Sequence, residues 1–201
     1  MKYAVVAVAL LAGCMSLGKV PPREYYVLND LGTATVSMRG AQNDRALLIG
    51  ETSVSPFYDT QSLVFSRAPG QRAYYQFAAW TERPGNRLTE LLIRRLHARR
   101  GFRSVAATTA GAKGDLVLNT RLEELYHDAS ASPGSVRVEL SAVLVDRGQR
   151  AIVAQHSFAQ SAPTGGNTAP AAVVAFDRAV TALLDEESAW VEDMAARPAQ
   201  R

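Results

Sequence analysis

Three alternating segments between Asp115 and Ala159 constrain the fold more than anything else in this chain. From Asp115 to Tyr126, Leu116, Leu118, Leu122 and Tyr126 share one side of a period-2 pattern, and Asn119, Arg121 and Glu123 the other. Ser135 to Val145 repeats the pattern, with Val136, Val138, Leu140, Ala142 and Leu144 against Arg137, Glu139 and Ser141. Ala151 to Ala159 follows with Ile152, Ala154 and Phe158 aligned. Successive side chains of an extended chain point to opposite faces, so each segment predicts a strand with one buried and one wet face. His127 to Gly134 and Asp146 to Gln149 supply the turns. The segments therefore form an antiparallel meander whose apolar face needs a cover.

Two amphipathic helices can provide that cover. Leu88, Leu91, Leu92 and Leu96 lie at i, i+3, i+4 and i+8 within about Pro84 to Arg100. Pro84 suits the first turn and Gly101 the C-terminal cap. The second helix runs from about Pro170 to Met194, with Val173, Phe176, Val180, Leu183, Leu184 and Val191 in its stripe and Asn167 or Thr168 as its cap. Upstream, short strands are predicted at Tyr25 to Leu28, Ala46 to Val54, Gln61 to Arg67, Ala73 to Ala78 and Phe102 to Ala106. Leu47-Leu48-Ile49 is apolar without alternation, which suits a strand buried on both faces. Asn29 to Asn43, rich in Gly, Thr and Ser, reads as a loop. Two helices and about eight strands make one α/β domain with a mixed sheet and a C-terminal antiparallel meander.

The N-terminus carries a separate signal. Lys2 precedes the apolar run Tyr3 to Leu11, which is followed by Ala12, Gly13 and the chain's one cysteine, Cys14. The run is shorter than the roughly 20 residues needed to span a bilayer. Small residues before a cysteine read as a bacterial lipoprotein signal, cleaved before Cys14. Lipidation of that thiol would leave the mature chain on a membrane. Residues 1–13 are then the signal, 14–23 a tether broken by Gly18, Pro21 and Pro22, 24–196 the domain, and 197–201 a polar tail. After Cys14 no thiol remains for a disulfide or a cysteine metal site. Bacterial lipoproteins with Asp after the cysteine tend to stay on the inner membrane; Met15 in that place favours the outer membrane.

No catalytic motif is found: no nucleophile elbow, P-loop, zinc-binding histidine pair or dinucleotide fingerprint. His97, His127 and His156 have no second ligand at metal spacing nearby. The carboxylates of the meander share its wet face with Arg121 and Arg137, which fits ion pairs better than acid–base chemistry. No enzyme activity, cofactor or metal is expected. The charge balance is only +3, so a nucleic-acid partner is not indicated. Two surface features remain. Arg94, Arg95, Arg99, Arg100 and Arg103 crowd the end of the first helix, where Arg95 and Arg99 are candidates for contact with anionic head groups or an acidic partner. The alternative is a solvated face that suits the helix dipole. Phe57, Tyr58, Tyr74, Tyr75, Phe77 and Trp80 cluster in sequence, and Tyr74 is the candidate for an exposed lipid or protein contact.

Taken in order, these pieces resemble the ABC-type transport auxiliary lipoprotein component family, of the paraquat-inducible protein C type. The resemblance rests on the segment ending at Cys14, Tyr25 to Leu28, the turn Pro56 to Asp59, the strand Leu63 to Arg67, and Trp80 to Pro84 before the helix. The helix Leu88 to Leu96, Gly101-Phe102 and Asp115 to Leu118 complete it. The resemblance implies a three-layer α/β fold and a non-enzymatic periplasmic lipoprotein of the outer membrane. It implies service to an ABC transporter with mammalian-cell-entry-type substrate-binding subunits, whose permease and ATPase are separate chains, so that phospholipid passes between membranes. A lipid-anchored envelope assembly protein without a transporter, or a lipid-anchored hydrolase, are the alternatives. The oligomeric state is left open, a homo-oligomer included.

Overall fold

The computed structural model describes residues 21–32 and 43–197. The signal segment, Cys14, Met15, most of the tether, most of the predicted 29–43 loop and the last four residues lie outside them. Nine strands and two helices are described: β1 Glu24–Tyr26, β2 Asn43–Ile49, β3 Ser53–Val54, β4 Ser62–Ser66, β5 Ala73–Trp80, α1 Pro84–Arg99, β6 Phe102–Ala107, β7 Leu116–Asp128, β8 Ser135–Asp146, β9 Ala151–Pro163 and α2 Ala169–Ala196. The mixed sheet curls into a half-barrel, with 28% of the described residues helical and 41% in strands. The α/β class and the meander are as the pattern predicts. The strand predicted at Ala46 to Val54 is two strands, because the chain breaks at Gly50. A Cβ there would meet Asn119 Oδ1 at 2.7 Å.

β7 is the spine. One edge pairs antiparallel with β8, which pairs antiparallel with β9. The other edge receives β2, β3 and β4 in turn, all parallel. β6 continues the sheet beyond β2, while β5 and then β1 continue it beyond β4. Between β6 and β7, β2 buries Ala46, Leu47, Leu48 and Ile49 together, as its unbroken apolar run requires.

Period-2 reading fails in one place. Between Leu122 and Glu124 the register against β8 slips, leaving Glu123 as an extra residue. Such a bulge reverses every later side chain. Leu125 and His127 therefore turn inward opposite Val138 and Val136; Tyr126, opposite Arg137, falls on the other face from its predicted stripe, yet is buried as predicted, beneath Arg72. The extra residue is well held. Ser141 Oγ and Ser55 Oγ donate to the Glu123 carboxylate at 3.0 and 3.1 Å, and Arg121 Nε at 3.1 Å. Partial burial opposes its charge, but these donors keep the carboxyl below its ordinary range.

Both helices follow their stripes. Leu88, Leu91, Leu92 and Leu96 of α1 are buried, as are all six predicted core residues of α2. Pro84 opens α1 as expected. Its left-handed cap is Arg100 (φ 55°), not Gly101. Gly101 answers a different need: a Cβ there would approach Glu192 Oε1 to 2.6 Å. Thr168 caps α2, its Oγ1 accepting from Ala171 N at 3.4 Å. Asn167 instead ties two loops, accepting from Gly134 N at 3.1 Å and donating to Ala131 O at 2.9 Å.

Candidate functional site

The arginines of α1 are the first candidates, and the structure engages both within the molecule. The Arg95 side chain is only 6% exposed. Its guanidinium is ion-paired with Asp30 and with Asp185 on α2; Nε donates to Asp30 Oδ2 at 2.8 Å. Arg99 forms a two-pronged pair with Glu192, Nε to Oε1 at 2.8 Å and Nη2 to Oε2 at 2.7 Å. The hydrogen bond to Glu192 holds the Arg99 guanidinium above its ordinary pKa. This differs from the open basic face read from the sequence: Arg94, His97 and Arg100 are exposed, while Arg95 and Arg99 clasp α1 to α2. The segment after β1 is strapped over the clasp. Asn29 N donates to Asp177 Oδ1 and Leu31 N to Thr181 Oγ1, both at 2.8 Å. Gly32 lies so close to Arg95 that a Cβ would strike the guanidinium.

Tyr74 is placed as expected, on the surface. It is 44% exposed and stacks on Phe57, itself 40% exposed, with ring centroids 4.8 Å apart and planes 11° from parallel. Tyr74 Oη donates to Phe57 O at 3.0 Å, fixing the pair. Below it, Arg72 Nε donates to Tyr58 Oη at 3.0 Å, Nη2 reaches Glu124 at 3.1 Å, and the guanidinium lies 3.6 Å from the centroid of Tyr126. Burial raises the Tyr58 phenol pKa, although Arg72 pulls it down. Two adjacent exposed aromatic rings are thus presented on a rigid base, the kind of anchor that costs little ordering on contact.

Around the same strand lies a cavity of about 560 Å³, whose walls include Pro21, Pro22, Phe65, Tyr75 and Phe77. Arg67, at its edge, lies 5.2 Å from the Phe65 ring centroid. Tyr75 packs on Phe65 at 4.7 Å and hydrogen-bonds His127 Nδ1 at 2.7 Å. Burial holds His127 below its ordinary pKa, with Asn167 and Asp128 pulling the other way. Sequence reading set His127 in a turn; the β7 bulge carries it into the core. The walls are mostly apolar and aromatic, with one cation, Arg67, and one carboxylate, Glu24, chemistry suited to aliphatic or aromatic groups. Pro21 and Pro22 place the described start of the chain at this cavity.

The opposite end is charged. β7 starts beside Asp115, whose Oδ2 accepts from Ala46 N at 2.7 Å and from Arg103 at 3.1 Å. Arg45 pairs with Asp146 nearby, and Lys113 and Arg147 line the same depression. At about 3.3 Å per residue, the thirteen residues of β7 separate the two ends by roughly 40 Å.

The histidines do not converge: His97 is exposed on α1, His127 is buried, and His156 packs on Trp190 at 6.0 Å. Among the described residues no cluster of His, Cys, Asp or Glu could hold a metal, and no helix is long and apolar enough to cross a membrane. One titratable group went unremarked in the sequence. Glu187 lies on the inner face of α2, fully buried, with no hydrogen-bond partner among the described residues for either carboxyl oxygen. Burial pushes its pKa up to about 8, so it is protonated at neutral pH.

Fold and site together define a small α/β module that offers a rigid aromatic surface beside its N-terminal lead. The chain belongs to the ABC-type transport auxiliary lipoprotein component family, whose model matches residues 26–186. That span covers β2 to β9, both ends of the molecule and most of α2. The protein is accordingly a lipoprotein of the cell envelope and an auxiliary component of ABC-type transport. Among solved structures it is similar to a protein from Xanthomonas campestris (TM-score 0.77, 21% identity, 85% of this chain and 96% of that one). It also resembles an uncharacterized protein (TM-score 0.64, 14% identity, 86% and 98%). A hypothetical protein from Chlamydia trachomatis is more distant (TM-score 0.53, 11% identity, 76% and 98%). At these identities the likeness is one of fold. No curated protein matches the chain.

Proposed function

We propose that this chain is a non-enzymatic subunit, anchored by lipid at Cys14 on the periplasmic face of the outer membrane. There it docks a mammalian-cell-entry-type ABC transporter so that phospholipid passes between membranes. The observation that carries this reading is the position of Pro21 and Pro22 at the aromatic cavity. Cys14 is seven residues upstream of Pro21, a span of at most roughly 25 Å. The Phe57–Tyr74 surface is therefore held near the membrane, where a partner arriving with lipid must meet it. Rigid aromatic rings suit such a meeting, because they bury large area and tolerate an interface that is wet on one side.

Two measurements test this. Cys14→Ala leaves the chain uncleaved or soluble on fractionation; a variant that matures and stays with membranes overturns the anchor. Affinity capture of the intact chain from detergent extracts recovers a mammalian-cell-entry protein with its permease and ATPase. Replacing Phe57 and Tyr74 together by Ala lowers that recovery about tenfold or more, as loss of a central aromatic contact does. Capture of envelope proteins without a transporter points to the assembly role instead.

A further inference from the structure

β9 ends the meander, and among the described residues nothing pairs with its outer edge. Open edges display rows of unpaired N–H and C=O groups, and proteins guard them with charges, bulges, proline or shortness. The other sheet margins are guarded in this way. β1 is three residues long and starts with Glu24. β6 carries Arg103, ion-paired with Asp115 at 3.1 Å. β9 has thirteen residues and no Lys, Arg, Asp or Glu among them. Its one irregularity is the bulge at Val153, and from Ala154 to Ala162 its pairing with β8 is unbroken. Most of its residues are exposed, Ile152 by 64%.

We propose that this edge pairs antiparallel with the same edge of a second copy of the chain, joining two meanders into one continuous sheet. An uncharged strand meets no repulsion from its own image, and two identical edges match in length, so the groups of the regular stretch find partners. The regular stretch fixes the register. A two-fold axis at Phe158, its midpoint, sets Ala154 opposite Ala162, His156 opposite Gln160, and Ser157 opposite Ala159. Ser157 and Ala159 are exposed and small, so the closest outer-face pair closes without a clash. Pro163 and the Val153 bulge then limit the ladder at both ends. This pairing stands apart from the anchor and the transporter, and either reading can fail alone.

The test uses the full chain in detergent. Native mass spectrometry at tens of micromolar gives a dimer or an even multiple of it. Ser157→Cys and Ala159→Cys proteins, mixed, give a covalent dimer with a short thiol cross-linker in several-fold greater yield than either alone. The unsubstituted chain controls for Cys14. The double variant Ser157→Lys with Ala159→Lys sets four ammonium groups across the axis and weakens association at least tenfold, with its circular dichroism and melting temperature unchanged. A monomeric unsubstituted chain, no preference for the mixed cross-link, or undiminished association of the folded lysine variant overturns the proposal. Capture of a different protein's strand by β9 in a monomeric chain also overturns it.

Discussion

Arg95 and Arg99 lie one turn apart on α1, and each ends on a carboxylate of α2. What distinguishes them from Arg94 and Arg100 is burial: a guanidinium out of water must be paired, and its partner then depends on it. Arg95→Met leaves Asp30 largely buried without its cation and costs about 3 kcal/mol in urea unfolding. Arg94→Met, on the exposed side, changes stability by less than about 0.5 kcal/mol. None of this was legible locally. Asp30, Asp185 and Glu192 stand 65, 90 and 93 residues from their arginines, so the sequence displayed a basic run and hid its neutralisation. Tyr74 was legible because strand alternation decides exposure within a few residues. Glu187 presents the inverse case, a carboxyl in an apolar stripe whose period marked its place as buried. Glu187→Leu removes two unpartnered buried oxygens and stabilises the fold by about 1–3 kcal/mol.

At the scale of elements, the strands and helices were readable because burial imposes periods of two and of 3.6 on any chain. The long-range parallel pairs of β2, β3 and β4 with β7 were not, since no local pattern encodes which distant strand lies alongside. Nor was the β7 bulge, whose sole trace in the sequence is the doubled polar pair Glu123-Glu124. The bulging of that residue out of the ladder is what lets His127 reach Tyr75. Deleting Glu123 joins Leu122 directly to Glu124 in the pairing they already have, so Leu125 and His127 stay inward, and the loss of the bonds from Ser55, Ser141 and Arg121 costs about 1–3 kcal/mol. Circular dichroism and chemical unfolding read the loss. The milder Tyr75→Phe removes only the bond to His127 and costs about 1 kcal/mol.

For the whole molecule, the two buried titratable groups bend stability against pH in opposite senses. Glu187 keeps its proton in the folded state up to about 8, well above its ordinary 4.5. The folded state therefore binds more protons in that window, and stability falls as pH rises through it. His127 is lowered, so the unfolded state takes up its proton first, and stability falls as pH drops below about 6.5. Glu187→Gln flattens the alkaline limb of the melting-temperature profile and leaves the acid limb in place. A profile unchanged by that substitution contradicts the assignment.

The lead that brings Pro21 and Pro22 to the cavity also sets a concentration. With the proposed anchor at Cys14, the aromatic face would sample a hemisphere only some tens of ångströms in radius above the bilayer. Any partner standing there meets it at an effective concentration on the order of millimolar. An individually weak contact, with a dissociation constant of tens of micromolar, would then be occupied nearly all the time. It would nonetheless release as soon as the partner withdrew.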